Sequence, residues 1–103
     1  MFNLQKVLIS AVSYKEAEFI LKSLLDKKLV AGGSIFAGNS FHWWQNEIET
    51  GDYCTIVAFT KAIKKKEIIK LVESISADEI PGITFYNIDG GNTNFLNWIK
   101  KTI

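Results

Sequence analysis

The sequence predicts an α+β fold with the element order β-α-β-β-α-β and one further helix at the C-terminus. Three observations carry this. Apolar, β-rich runs recur at residues 4–12, 29–37, 53–59 and 83–88. Stretches with apolar residues at helical spacing separate the first run from the second and the third from the fourth. A last helical stretch, led by Asn92-Thr93-Asn94, closes the chain.

Residues 4–12 are rich in Val, Ile and Leu and suit a buried strand. Ser13-Tyr14-Lys15-Glu16 has the S-x-x-E form of a capping box. Ala17, Ile20, Leu21 and Leu24 then share one helical face, so a first helix is expected over residues 14–28. Residues 29–37 are apolar but carry Gly32 and Gly33, which fits a bent or closely packed strand. Thr50-Gly51-Asp52 reads as a turn before the next β-rich run, giving a hairpin. Thr60 is placed to cap a second helix that buries Ile68, Leu71, Val72 and Ile75. Ile80-Pro81 forces extended backbone ahead of the last strand. Asp89-Gly90-Gly91-Asn92 reads as a tight turn using glycine at positive φ. Asn92, Thr93 and Asn94 offer cap oxygens for the closing helix, which sets Phe95, Trp98 and Ile99 on one side. This order is the ferredoxin-like plan, an antiparallel sheet with both main helices on one face. Val57 and Phe59 alternate with Ile56 and Ala58, so the sheet is apolar on both faces. The second face then needs a cover, most simply another subunit.

A chain of 103 residues, 48% hydrophobic and 22% charged, fits one well-filled globular domain over residues 1–103. Twelve Lys and Arg against eleven Asp and Glu leave a formal net charge of +1, which argues against a general nucleic-acid binder. No apolar run approaches the ~18 residues of a membrane helix. The N-terminus lacks a signal-peptide pattern, so no membrane partner and a cytoplasmic location are expected. A single Cys and a single His leave no disulfide and no Cys/His cluster for structural zinc.

His42 is the one candidate metal ligand or general base, and a packing role is preferred because no second imidazole shares the work. Cys54 lies mid-strand and reads as a buried, inert thiol unless the hairpin register pairs it with His42. Lys61, Lys64, Lys65, Lys66 and Lys70 read as a solvated helix face. Glu47, Glu49 and Asp52 offer at most a weak oxygen site for a hard cation. An RNA-recognition surface would use Tyr53 and Phe59 on an open sheet, but the third strand lacks the leading cation of that pattern.

The segment Phe41-His42-Trp43-Trp44-Gln45-Asn46-Glu47-Ile48-Glu49 resembles the Y-x-W-x-G-K-I/L-E stretch of the CutA family, the divalent-cation tolerance proteins. Trp44, Ile48 and Glu49 match, while His42, Asn46 and Glu47 stand for the Tyr, Gly and Lys. Ala17-Glu18, Leu29-Val30-Ala31, Thr60, Pro81 and Phe95-Leu96-Asn97-Trp98-Ile99 follow in the family's order. The resemblance implies a tight homotrimer of ferredoxin-like subunits, similar in plan to the PII signalling proteins, with small-ligand clefts between subunits. It also implies a link to copper and other divalent cations. The family's Cys and His positions hold Gly32 and Ser76 here, Phe59 replaces a Lys, and Tyr53 replaces a Glu. Soft metals prefer thiolate and imidazole, so copper binding at the family's positions is expected to be weak or absent. The expected function is that of a non-enzymatic scaffold or small-ligand sensor, with no cofactor. Phe41, His42, Trp43, Trp44, Tyr53 and Phe59 are the expected interface or cleft residues. The alternatives are a divalent-metal site relocated to His42, or RNA binding.

Overall fold

The structure, a computed structural model, describes residues 3–103. Strand β1 (Leu4–Ala11) leads into helix α1 (Tyr14–Asp26), followed by β2 (Gly32–Trp44) and β3 (Glu47–Lys61). A short 3-10 turn (Ala62–Lys64) precedes α2 (Lys65–Ile75), and β4 (Ile83–Asn87) and α3 (Thr93–Thr102) complete the fold. The four strands form one antiparallel sheet in the order β2-β3-β1-β4, as the ferredoxin-like plan requires. No helix among the described residues is long and apolar enough to cross a membrane.

One sheet face carries Val7, Ile9, Ile56 and Ala58, all fully buried beneath Ile20 and Leu24 of α1 and Ile68 and Val72 of α2. Each of the Val, Ile and Leu side chains among them contributes about 1.5–3 kcal/mol by leaving water. Leu71 and Ile75 flank this core and are only partly buried. The opposite face is covered at one end by α3. There Ile99 packs on Leu4 and Ala31, and the Phe95 ring meets Phe59 edge-on at 5.0 Å. The Trp98 ring lies against Gly32 so closely that a Cβ there would come within 2.7 Å of it, the close approach that explains this glycine. The rest of that face is open, and Phe36 is 58% exposed on it.

The capping signal of α1 forms with a changed return bond. Ser13 Oγ accepts the Glu16 N–H at 3.1 Å, but the Glu16 carboxylate accepts from Val12 N–H at 3.0 Å and from the distant Ala77 N–H at 2.6 Å. The helix stops at Asp26, two residues before its expected end. Lys28 enters the left-handed region at φ 53°, while its N–H bonds to Leu25 O and that of Leu29 to Leu24 O. That pair is a Schellman closure.

Four other sequence expectations are corrected. Thr50-Gly51-Asp52 is not the hairpin turn. Gly51 pairs with Ser40 within the ladder, and the chain reverses at Gln45 (φ 50°) and Asn46 (φ 66°), the two left-handed residues of a type I′ turn. Thr60 does not cap α2. It is fully buried at the end of β3, where its hydroxyl donates to Leu29 O at 2.6 Å and ties the loop after α1 to the sheet. The loop at Gly90-Gly91 does not use positive φ, since no glycine among the described residues does, and the Asn92 side chain makes no cap bond to α3.

The ladder between β1 and β3 ends at Ala11 opposite Cys54, but β2 and β3 stay paired to Trp44 opposite Glu47. Residues 38–53 therefore form a two-stranded arm beyond the sheet. Its turn carries strain at Gln45, because the left-handed region costs a residue other than Gly, Asn or Asp roughly 1–2 kcal/mol. We predict that Gln45→Asn raises the thermal midpoint and that Gln45→Val lowers it. Scanning calorimetry that ranks Gln45→Val above Gln45→Asn would contradict the turn assignment.

Candidate functional site

The side chains of a strand alternate between its faces, and the register sorts the arm accordingly. Ser40, His42, Trp44, Glu49 and Tyr53 fall on the side away from α1 and α2, whereas Phe41, Trp43 and Ile48 fall on the other. The segment between α2 and β4 faces the first of these sides and is held there by three groups. Ser10, just beyond the β1–β4 ladder, donates its N–H to Gly82 O at 2.9 Å and accepts the Gly82 N–H on its hydroxyl at 2.7 Å. Glu16 takes the Ala77 N–H from the α1 side. Asp78 accepts the Ile80 N–H at 3.1 Å, which closes a side-chain turn just before Pro81.

Between arm and loop lies a cleft of about 680 Å³, lined among others by Ser10, His42, Trp44, Glu49, Tyr53 and Asp78. Trp43 contributes at its rim while remaining 71% exposed. His42 is oriented by three neighbours. Its Nδ1 lies 2.9 Å from Ser40 Oγ, its Nε2 lies 3.7 Å from the Glu49 carboxylate, and its ring meets Tyr53 edge-on with centroids 5.6 Å apart. The Tyr53 hydroxyl is held above its ordinary pKa, first by removal from water and then by the negative charges of Asp78, Glu49 and Glu16. Carboxylates from both walls therefore act on one point in the cleft. Glu79 adds a further acid to the lining, and no Lys or Arg lines it.

Of the six residues expected at an interface or cleft, His42, Trp43, Trp44 and Tyr53 meet at this cleft. Phe41 does not, and is 71% exposed on the arm's other face. Phe59 lies under α3 against Phe95. Tyr53 and Phe59 thus make no joint open platform of the kind that stacks bases. Cys54 is buried in the core beneath the helices, on the opposite face from His42, so the register does not pair the two. Asp52 likewise faces away from Glu47 and Glu49, and no three His, Cys, Asp or Glu side chains among the described residues converge as metal ligands do. In the basic segment, Lys61 donates to the Lys100 and Ile103 carbonyls and Lys65 lies over the Phe85 ring, so these two are structural, while Lys66 and Lys70 are exposed. Sequence reasoning missed Ser10, Ser40, Asp78 and Glu79. The nearest signal was Ile80-Pro81, which marked extended backbone without showing where the loop lands.

The sequence matches the family described as CutA1 divalent ion tolerance protein over residues 6–102. The divalent-cation tolerance protein CutA of Archaeoglobus fulgidus is 36% identical over 97 residues, 94% of this chain and 95% of that one. A solved structure described as the periplasmic divalent cation tolerance protein CutA from the same organism superimposes with a TM-score of 0.93 at 35% identity, covering 96% of this chain and 97% of that chain. CutA1 from Oryza sativa shares the fold, with a TM-score of 0.94 at 20% identity over 98% of this chain and 94% of that one. On the matched span and on this identity along nearly its whole length, the chain belongs to the CutA family of divalent-ion tolerance proteins.

Proposed function

We propose that this CutA-family chain works as a homotrimer, as a non-enzymatic scaffold or small-ligand sensor whose clefts are completed between subunits in the cytoplasm. The observation that carries the reading is the arm. A two-stranded ribbon is marginal at best in water on its own. This one also exposes Phe41, Trp43 and Ile48 on one face, at 71%, 71% and 61%. The open sheet face adds Phe36 and the half-buried Leu8 and Val57. Apolar surface of this kind is covered in soluble proteins, and a second copy of the same chain supplies a cover of matching chemistry. Sedimentation equilibrium is expected to give three times the 11.6 kDa chain mass at micromolar concentration. It is also expected to show dissociation when Phe36 and Trp43 are both replaced by Glu. A stable, soluble wild-type monomer would overturn the reading.

A second reading places a divalent cation at His42, motivated by its imidazole facing the Glu49 carboxylate at 3.7 Å. One imidazole and one carboxylate make a loose site for copper, and a buried thiol such as Cys54 is hard to reach. Calorimetric titration of the assembled protein with Cu(II) is therefore expected to give weak binding that His42→Ala abolishes. Submicromolar binding that survives both His42→Ala and Cys54→Ser would contradict this account of the donors.

A further inference from the structure

A net charge of +1 hides an uneven distribution along the sheet. One end of the sheet is marked by Leu4 opposite Lys61, and the other by Ala11 opposite Cys54. Three segments meet at the first end. The loop after α1 is tied there by the Thr60 hydroxyl on Leu29 O and by the Ala31 N–H on Phe59 O. The start of α2 follows β3 directly, and Lys61 holds the C-terminus of α3. Residues 27–28, 61–66 and 100–101 of these segments hold eight of the twelve lysines and no acid. The acids at this end are Asp26, Glu67 and Asp89, whereas Glu47, Glu49, Asp52, Asp78 and Glu79 lie at the other. Among the described residues, Lys27, Lys28, Lys64, Lys66 and Lys101 make no ion pair.

The fold does not require this concentration of charge. Lys27, Lys28 and Lys101 sit at helix C-termini, where the helix dipole favours cations. Lys64, Lys65 and Lys66 crowd the start of α2, where the dipole opposes them and they repel one another. The Phe85 ring beneath Lys65 accounts for that residue, but Lys64 and Lys66 have no such partner. Beside them stands Ile63, which at 83% is the most exposed large apolar side chain among the described residues. It lies in the 3-10 turn, whose backbone is fixed by the Ala62 N–H on Asn3 O at 2.7 Å. The assembly proposed above covers the arm and the open sheet face. Ile63 and its lysines lie at the opposite end from the arm, where α1 stops and α2 starts.

Unpaired lysines attract a polyanion, and the isoleucine among them narrows the class. A nucleic-acid backbone gains nothing from an aliphatic side chain, and a small anion would leave that side chain in water. An anionic bilayer satisfies both, with headgroups facing the ammonium groups and the hydrocarbon boundary receiving the isoleucine. We propose that this end of the subunit docks on an anionic lipid surface, with Ile63 inserted and Lys27, Lys28, Lys64 and Lys66 against the headgroups. Leaflets facing the cytoplasm carry such charge. The acids at the arm end orient the chain, since the same surface repels them. That no described helix is long and apolar enough to cross a bilayer does not bear on resting against one. The expectation of no membrane partner rests on spanning and targeting patterns alone, and this surface departs from it. The surface belongs to the single subunit and needs no trimer.

The test is co-sedimentation of the intact wild-type protein with vesicles, one set of phosphatidylcholine alone and one containing about 30% phosphatidylserine. Binding to the anionic set alone is expected at about 0.1 M salt, with loss at about 0.5 M. Lys66→Gln is expected to weaken it about fivefold, and Lys27→Gln combined with Lys28→Gln by more than about tenfold. Ile63→Ser is expected to weaken it about fivefold, although it removes no charge. All four side chains are exposed, so each variant is expected to melt with the wild type. No binding to anionic vesicles by folded protein, equal binding to neutral ones, or affinity unchanged in the lysine variants would each overturn the proposal. So would an Ile63→Ser variant that binds as tightly as wild type, which would leave bare charge attraction. A duplex oligonucleotide bound more tightly than the anionic vesicles would assign this end to nucleic acid and overturn it as well.

Discussion

The structure depends on one mismatch of length. Strand β1 supports β3 only as far as Ala11 opposite Cys54, whereas β2 and β3 remain paired as far as Trp44 opposite Glu47. Everything up to that point is built on a packed core, with Ile9 and Ile56 sealed beneath Ile20, Leu24, Ile68 and Val72 on one face and α3 closing one end of the other. Everything beyond it is a ribbon with neither a third strand nor a helix of its own. The ribbon's inner side forms a wall of the cleft, and its outer side offers Phe41, Trp43 and Ile48 to whatever covers it. The cleft and the expected assembly are thus two consequences of the same unsupported extension.

The opposite wall of the cleft is fixed by polar groups that serve the fold at the same time. Glu16 sits in the first turn of α1, where a carboxylate is favoured by the helix dipole, and its two oxygens bridge Val12 and the distant Ala77. Ser10 lies just beyond the β1–β4 ladder and anchors Gly82 with both its backbone and its hydroxyl. The loop is therefore part of the scaffold, and the acids it carries face the arm at positions set by the core. Membership of the CutA family fixes the fold on which this site is built. The chemistry of the cleft is set by this chain's own residues, since a fold does not dictate the function of the sites grafted on it.

Much of the fold was legible because local signals agreed with it. Ser13 and Glu16 announced the start of α1, and Ala17, Ile20, Leu21 and Leu24 its buried face, all as observed. The turn was misread because its strongest composition signal, Gly51-Asp52, belongs to the middle of a strand, where Gly51 sits close to the Tyr53 ring. The actual reversal uses Gln45, a residue with no preference for the left-handed region, so only Asn46 could have marked it. Thr60 shows the same limit. A Thr before a helix resembles a cap, and only tertiary structure reveals that its hydroxyl reaches back to Leu29. For the site, His42, Trp44 and Tyr53 were legible as an aromatic cluster on one hairpin. Ser10 and Asp78 were not, because their meeting with that hairpin spans most of the chain and depends on where Pro81 sends the backbone.

The central claim is that the arm is ordered by a partner copy and not by its own chain. Amide hydrogen exchange, resolved along the sequence and measured over a dilution series, tests this most directly. The account predicts that amides of residues 38–53 lose protection as the assembly dissociates, while Val7, Ile9, Ile56 and Ala58 in the sheet centre stay protected. Protection of the arm that is independent of concentration and equal to that of the sheet centre would contradict it.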